Sequence, residues 1–213
     1  MASRDYGQYS AVARAVELVG ERWAMLIVRD LLVGPRRYGE LASGLQRIPS
    51  NILSTRLREL QAAGVIRRAP RSRVIVYELT PYGRELEPVV LALGAWGFKA
   101  LGDPREAQTI TPDSMTIDLR TAFRSEVAAT LPATAYAARI GPAELLIRVD
   151  GTSLDVTRGG GAADLAFTAG TDIHRLISGD LAPDQAIASG LVEVLRGRGE
   201  LLGRFAHTFH LAA

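Results

Sequence analysis

Apolar residues recur along this chain with two different periods, and the change of period organises it. Residues 8–20 carry Val12, Ala15, Val16 and Val19 at helical spacing before Gly20. Residues 22–33, RWAMLIVRDLLV, are apolar around most of their circumference, which predicts a helix at the centre of a core with Trp23 packed inside it. Gly34-Pro35 ends that run, and Tyr38, Leu41, Ala42 and Leu45 mark a short third helix. A turn through Gly44 and LQRIP leads to residues 49–63, PSNILSTRLRELQAA, where Leu53, Leu57 and Leu60, with Ile52 beside them, make a core-facing stripe. After Gly64 the pattern turns to strands: VIRRAP and RVIVYELT carry Val65, Ile66, Val74, Val76 and Tyr77 in β-favouring runs around the short basic connector 69–73. Residues 80–101 return to helix, with Thr80 as N-cap, Pro81 at the first helical position, and Leu86, Val89, Val90, Leu93 and Trp96 on a broad apolar face that Pro88 can kink or restart.

The helix over 49–63 has a second face. Asn51, Ser54, Thr55 and Arg58 recur opposite the leucines, and Glu59 lies off that face. A solvated helix face usually mixes Glu with Lys; Ser, Thr, Asn and Arg are instead the side chains that hydrogen-bond base edges and phosphates. Taken alone, this helix reads equally well as an ordinary surface helix. Its neighbours favour the other reading, because two short helices joined by a tight turn predict a helix-turn-helix, and the basic hairpin after it predicts a wing with Arg71 and Arg73 at its tip. The bland counterpart of the wing is a hairpin with solvated arginines.

Charge sharpens the picture. The net charge is only +2, but residues 36–73 hold nine arginines against Glu40 and Glu59, whereas residues 104–213 hold ten arginines against thirteen acids. Such asymmetry fits a nucleic-acid module joined to a part that does not bind nucleic acid. Expected to face duplex DNA are Arg36, Arg37, Ser50, Asn51, Ser54, Thr55, Arg58, Arg71 and Arg73. The arginines of 36–37 and of the wing would lie on phosphates, while Asn51, Ser54, Thr55 and Arg58 would choose bases. The N-terminal helix and the apolar helix of residues 80–101 are the expected homodimer surface; packing within one chain is the other use of those faces.

Three stretches, AVELVGERWAMLIVRDLLVGPRRYGEL, IPSNILSTRLRELQAAGVI and VYELTPYGRELEPVVLALGAWG, resemble the HxlR-type winged-helix transcriptional regulators over residues 9–101. The resemblance implies a homodimer that reads DNA. Many members carry a cysteine just before the first helix, used in some for sensing electrophiles or oxidants. Here that neighbourhood is Gln8-Tyr9-Ser10 and the chain has no cysteine, so a thiol switch and disulfides are chemically excluded. Pro49 stands where the family often shows a serine cap.

Residues 102–117, with Gly102 and two prolines and no apolar period, read as a linker. An amphipathic helix is predicted over 118–131, with Leu119, Ala122, Phe123, Val127 and Leu131 inward. The strand-like runs TAYAARI, AELLIRVD, SLDVTRG and DLAFTAG follow. Their spacing suggests an antiparallel meander, with Gly159-Gly160-Gly161 as a hairpin turn; the triplet lacks the Lys and Ser/Thr of a phosphate loop. Two short helices come next, the first capped by Thr171 or Asp172 and stopped by Gly179, the second stopped by Gly190; a strand over LVEVLRG and a last helix close the chain.

That element order resembles the sterol-carrier-protein-like domain. The strand with Phe167-Thr168, a helix ending LISG, the segment LAPDQAIASG and a strand preceding a glycine carry the likeness. The resemblance implies an apolar cavity for a lipid or other hydrophobic effector, lined here by Phe167, Ile173, Leu176, Ile177, Ile187, Leu191, Leu202 and Phe205. The same residues could equally fill a solid core.

The expected fold is therefore α+β. A winged helix-turn-helix over 1–102, mostly α with a β-hairpin wing, precedes a linker over 103–117 and a sterol-carrier-like domain with an antiparallel sheet over 118–213. No enzyme constellation stands out, and Asp180 and Asp184 flank a helix start in a way that suits the helix dipole. The histidines, His174, His207 and His210, fall short of a metal site. Neither cofactor nor membrane insertion is expected, and the N-terminus lacks an apolar signal core, so the cytoplasm is the expected compartment. The leading function is a DNA-binding regulator; the competing one is a lipid carrier whose basic domain is incidental.

Overall fold

The computed structural model describes residues 5–105 and 108–211 and divides into two compact units between Val90 and Leu91. In the first unit the helices are α1 (Ala11–Val19), α2 (Ala24–Val33), α3 (Tyr38–Gly44) and α4 (Ser50–Ala62). An antiparallel hairpin follows, β1 (Ile66–Arg71) and β2 (Val74–Leu79), then α5 (Pro81–Arg84) and α6 (Glu87–Phe98), which runs across the division. Ile27, Val28 and Leu31 of α2 are fully buried, as expected of a central helix, and Leu41, Leu53, Leu57, Leu60, Val65 and Leu79 are among the residues buried with them.

Trp23 departs from expectation. It precedes α2 in a left-handed conformation with φ 80°, half-buried, and the Arg22 guanidinium lies 5.3 Å from its ring centroid. Thr80 caps as predicted: its Oγ1 accepts from the Gly83 N–H at 3.0 Å. Gly83 is needed there, because a Cβ would lie 2.0 Å from the Val65 carbonyl oxygen. The single helix expected over 80–101 is two, restarting at Glu87 with Pro88 in its first turn, where a proline lacks no useful N–H.

The second unit contains α7 (Pro112–Ala122), α8 (Ser125–Ala128), β3 (Thr134–Ile140), β4 (Ala143–Asp150), β5 (Ser153–Arg158) and β6 (Leu165–Ala169). It continues through α9 (Ile173–Ser178), α10 (Pro183–Ala188), β7 (Val192–Gly197) and α11 (Glu200–Thr208). The expected boundaries shift. The division falls at 90/91 instead of 102, and residues 112–117 of the expected linker are helix, started by Thr111, whose Oγ1 accepts from the Ser114 N–H. Glu106 and Ala107 of that linker lie outside the described residues. The helix expected over 118–131 breaks at Phe123, which is extended and bridges to Phe209.

The sheet order is β5-β4-β3-β6-β7, and β3 pairs with β6 in parallel. The expected antiparallel meander is thus a mixed sheet, and Gly159–Gly161 belong to a crossover, not a hairpin turn. A Cβ on Gly161 would lie 2.7 Å from Leu146 Cδ2, so the small residue lets the crossover pass close to that strand. Leu145, Ile147 and Val149, on the opposite face of β4 from Leu146, join the main core with residues of α7, α9 and α11. Phe205 is its hub, with ring centroids 5.3 Å from Tyr136, 5.4 Å from Phe167 and 4.7 Å from Phe209. Phe98 at the end of α6 also packs on this core, and its ring meets His174, whose Nε2 is 3.1 Å from Asp118 Oδ2.

Burial pushes the Tyr136 phenol up to about 12 from its ordinary 10.0, with Arg204 partly opposing the shift. The folded state thus resists ionisation that the unfolded chain accepts, so this group's share of stability is intact below pH 10 and is lost as pH rises toward about 12. Urea midpoints measured from pH 9 to pH 12 should fall more steeply for the wild type than for Tyr136→Phe; parallel curves would remove Tyr136 as the cause.

Candidate nucleic-acid interface

The burial of Leu53, Leu57 and Leu60 turns the opposite side of α4 outward. Asn51 and Arg58 are exposed there, and Ser54 and Thr55 are half-exposed. Pro49 occupies the cap position with no side-chain acceptor, so the first amides of α4 are left uncapped, and exposed Ser50 opens the helix. The hydroxyl of Tyr38 on α3 donates to the Ser50 carbonyl at 3.0 Å and lies 3.3 Å from Ser54 Oγ. Part of the Ser54 hydroxyl's capacity is therefore used inside the protein. Arg58 lies back along its own helix, with Nη2 3.3 Å from Thr55 Oγ1 and Nε 3.4 Å from the Ser54 carbonyl. Both contacts are long, leaving the guanidinium able to reach outward.

Arg36 and Arg37 have different tasks. The Arg36 backbone exchanges hydrogen bonds with Tyr77, 2.9 and 2.7 Å, adding a bridge at the edge of the hairpin. Its Nη1 donates to the Pro35 carbonyl. Arg37 is exposed, and its backbone N–H donates to the Glu40 carboxylate at 2.6 Å, which starts α3.

In the wing, β1 extends to Arg71, so the connector expected at 69–73 shrinks to a tip of Ser72 and Arg73. Ser72 takes φ 55°, uncommon for a residue with a Cβ. Arg73 is exposed at the tip, as predicted, whereas Arg71 pairs with Glu78 at 3.0 Å. Arg67 holds the other oxygen of the same carboxylate at 2.7 Å. Sequence reasoning missed Glu78 in the wing, because an acid count stopping at Arg73 leaves it out although β2 places it across the hairpin from Arg67. Arg56 is a second correction to the basic patch: it is buried and paired with Glu21 and Glu59. Among the described residues, Arg37, Arg47, Arg58, Arg68 and Arg73 have no carboxylate within ion-pair distance, and all five are exposed.

The eight positions expected to line a hydrophobic cavity gather in the second unit. Phe167, Ile173, Leu176, Ile177, Leu202 and Phe205 are buried members of one core cluster, and half-buried Ile187 and Leu191 pack against it. They behave as packed core, and the cleft described in this unit is lined by other residues. His207 and His210 do not share a helix face, since α11 stops at Thr208. Among the described residues there is no group of three or more His, Cys, Asp or Glu placed to hold a metal ion, and no helix long and apolar enough to cross a membrane.

Three helices around a buried leucine stripe, an exposed polar helix face and a basic hairpin define a winged helix-turn-helix. The chain belongs to the HxlR-like helix-turn-helix family, whose sequence profile matches residues 18–104. Over 97 residues it is 44% identical to the HTH-type transcriptional regulator Mb3122 of Mycobacterium bovis, covering 44% of this chain and 61% of that protein. It is 37% identical over 86 residues to the regulator YvaP of Bacillus subtilis, covering 39% of this chain and 80% of the relative. A crystal structure of the putative HTH-type regulator ytcD matches with 36% identity over 44% of this chain and 99% of its own, at a TM-score of 0.41. This is a family of regulators by name, not of enzymes.

Hydrogen bonds from Arg71 and then Arg67 hold the Glu78 carboxyl below its ordinary range. Stability from this clamp is present above the ordinary carboxylate range and is lost as pH falls through the lowered value. Acid-side urea titrations between pH 6 and pH 2 should show a loss in the wild type that Glu78→Gln lacks; identical acid limbs would show that the clamp contributes nothing.

Proposed function

We propose that the chain is a cytoplasmic transcriptional regulator that binds double-stranded DNA as a homodimer. The observation that carries this reading is the exposed face of α4, with Asn51, Ser54, Thr55 and Arg58, set among five arginines that no carboxylate of the described residues neutralises. Arg37 and Arg73 suit phosphates, and so do the uncapped amides at Ser50 and Asn51, because unsatisfied N–H groups at a helix start attract anions. Arg58 suits the edge of a guanine, and Asn51 that of an adenine. Arg71 and Arg36 take a smaller part than their sequence positions suggest, since Arg71 shares Glu78 and Arg36 is engaged within the protein.

The homodimer reading rests on apolar surface. No residue of α1 is buried; Val12 is 73% exposed, with Tyr9 and Val16 also exposed. On α6, Trp96 is 75% exposed, and Val89 and Leu93 are exposed as well. Faces of this kind on a regulator suit a twofold contact with a second copy, which would present two α4 helices to successive major grooves.

The second unit is proposed as a sterol-carrier-like effector domain on the strength of its element order. A lipid chain in it would have to displace side chains of the packed core. Any effector must bind the free and DNA-bound states unequally to regulate.

Selection from a random DNA pool should yield an operator with two half-sites, and its gel shifts test the roles. Arg58→Ala should cost about 1–3 kcal/mol and relax specificity at one base position. Arg73→Ala should weaken binding on all sequences and reduce the slope of log K against log salt by about one. Equal losses at every base position for both variants would overturn the assignment. Sedimentation should find a dimer that Trp96→Asp converts to monomer with weakened operator binding; a wild-type monomer at micromolar concentration would end the dimer reading.

A further inference from the structure

The second unit holds a cleft of about 300 Å³ that none of the roles above uses, lined in part by Thr134, Asp164, Gly197, Arg198, Leu201 and Arg204. That volume is at the low end for a metabolite pocket and too small for a long acyl chain. Its polar groups are set by the fold. Thr134 is buried; its hydroxyl donates to the Pro132 carbonyl at 2.8 Å and so has its lone pairs turned to Arg204, whose Nη1 donates to it at 3.0 Å. This anchor fixes the guanidinium and leaves its Nε and Nη2 protons without an acceptor among the described residues. Arg198 stands exposed at the cleft, also without a described acceptor. Neither arginine has a carboxylate within ion-pair distance among the described residues.

Asp164 is equally fixed. Its Oδ2 accepts from the Ala135 N–H at 2.8 Å, and its backbone N–H donates to the Ala135 carbonyl at 2.8 Å, which leaves Oδ1 as an acceptor. Gly197, at φ 93°, lets the end of β7 close on this corner, where a Cβ would sit 2.1 Å from the Asp164 carbonyl oxygen. The cleft therefore presents two guanidinium donors and one carboxylate acceptor over a small apolar wall from Leu201.

We propose that this cleft binds a small carboxylate that carries a hydroxyl or ammonium group, an α-hydroxy or α-amino acid. The ligand's carboxylate lies on Arg198 and Arg204, where charge-assisted bonds from a planar fork are strongest, and its donor reaches Asp164. Two positive charges against one negative suit a single carboxylate, while Asp164 repels a phosphate dianion.

Isothermal titration of the full chain with L-lactate, L-alanine, acetate and inorganic phosphate, at matched ionic strength, tests this. Saturable binding of lactate or alanine is expected, with acetate weaker for want of a donor. Arg198→Gln should weaken it about tenfold, the loss of roughly one charge-assisted hydrogen bond. Asp164→Asn should narrow the gap between the donor-bearing acids and acetate, and Arg139→Gln, an exposed site paired with Glu144, should change nothing. Arg204→Gln also loses the Thr134 anchor, so the exposed Arg198 variant keeps the test independent of folding. No saturable binding of either acid, phosphate binding tighter than both, or an unchanged affinity in Arg198→Gln would each overturn the proposal.

Discussion

Burial of Leu53, Leu57 and Leu60 decides where every other side chain of α4 can point. A helix rotated to expose those leucines would forfeit roughly 1.5–3 kcal/mol for each, so the polar face opposite them is held outward by the core and not by its own chemistry. Two hydrogen-bonded ties carry the constraint to the neighbours. Tyr38 fastens α3 to the start of α4 through the Ser50 carbonyl, and the Arg36–Tyr77 bridge fastens the chain entering α3 to the wing. The reading helix, the helix before it and the hairpin thus keep one geometry.

Electrostatics within this unit sorts the arginines into two groups. Arg56, Arg67 and Arg71 are tied to Glu21, Glu59 and Glu78, where they organise the protein itself. Arg37, Arg47, Arg58, Arg68 and Arg73 stay exposed without such partners among the described residues. Only the second group offers a phosphate its full charge, because an arginine already sharing a carboxylate must give up that contact to bind another anion. Glu78 also lowers the positive field at the base of the wing, which concentrates it at the Arg73 tip.

The second unit is organised by a different device. Parallel pairing of β3 with β6 sends the chain across the sheet between β5 and β6, and the aromatic cluster around Phe205 fills the space between the sheet and α11. The six expected cavity residues that join this cluster are packed there. Polar chemistry collects instead at the rim, where Thr134 orients Arg204 and the Asp164–Ala135 pair ends the strand. The family profile ends at residue 104, short of every strand of this unit.

Most elements were legible in the sequence, since helix and strand periods, caps such as Thr80 and breakers such as Gly179 act between near neighbours in the chain, whereas the first turns of α7, capped by Thr111, lay inside the expected linker. The polar face of α4 and the wing were legible for the same reason. Strand pairing was not: the runs that became β3 and β6 read alike whether they pair in parallel or antiparallel, because both arrangements bury the same alternating residues. Neither was the neutralisation of Arg56, Arg67 and Arg71, whose acidic partners meet them through the folding of helices and hairpin. Whether Phe167 and Phe205 line a cavity or fill a core was also left to the tertiary structure, because an apolar side chain at helical or strand spacing is equally suited to both, and only the positions of the elements around it determine how much space remains.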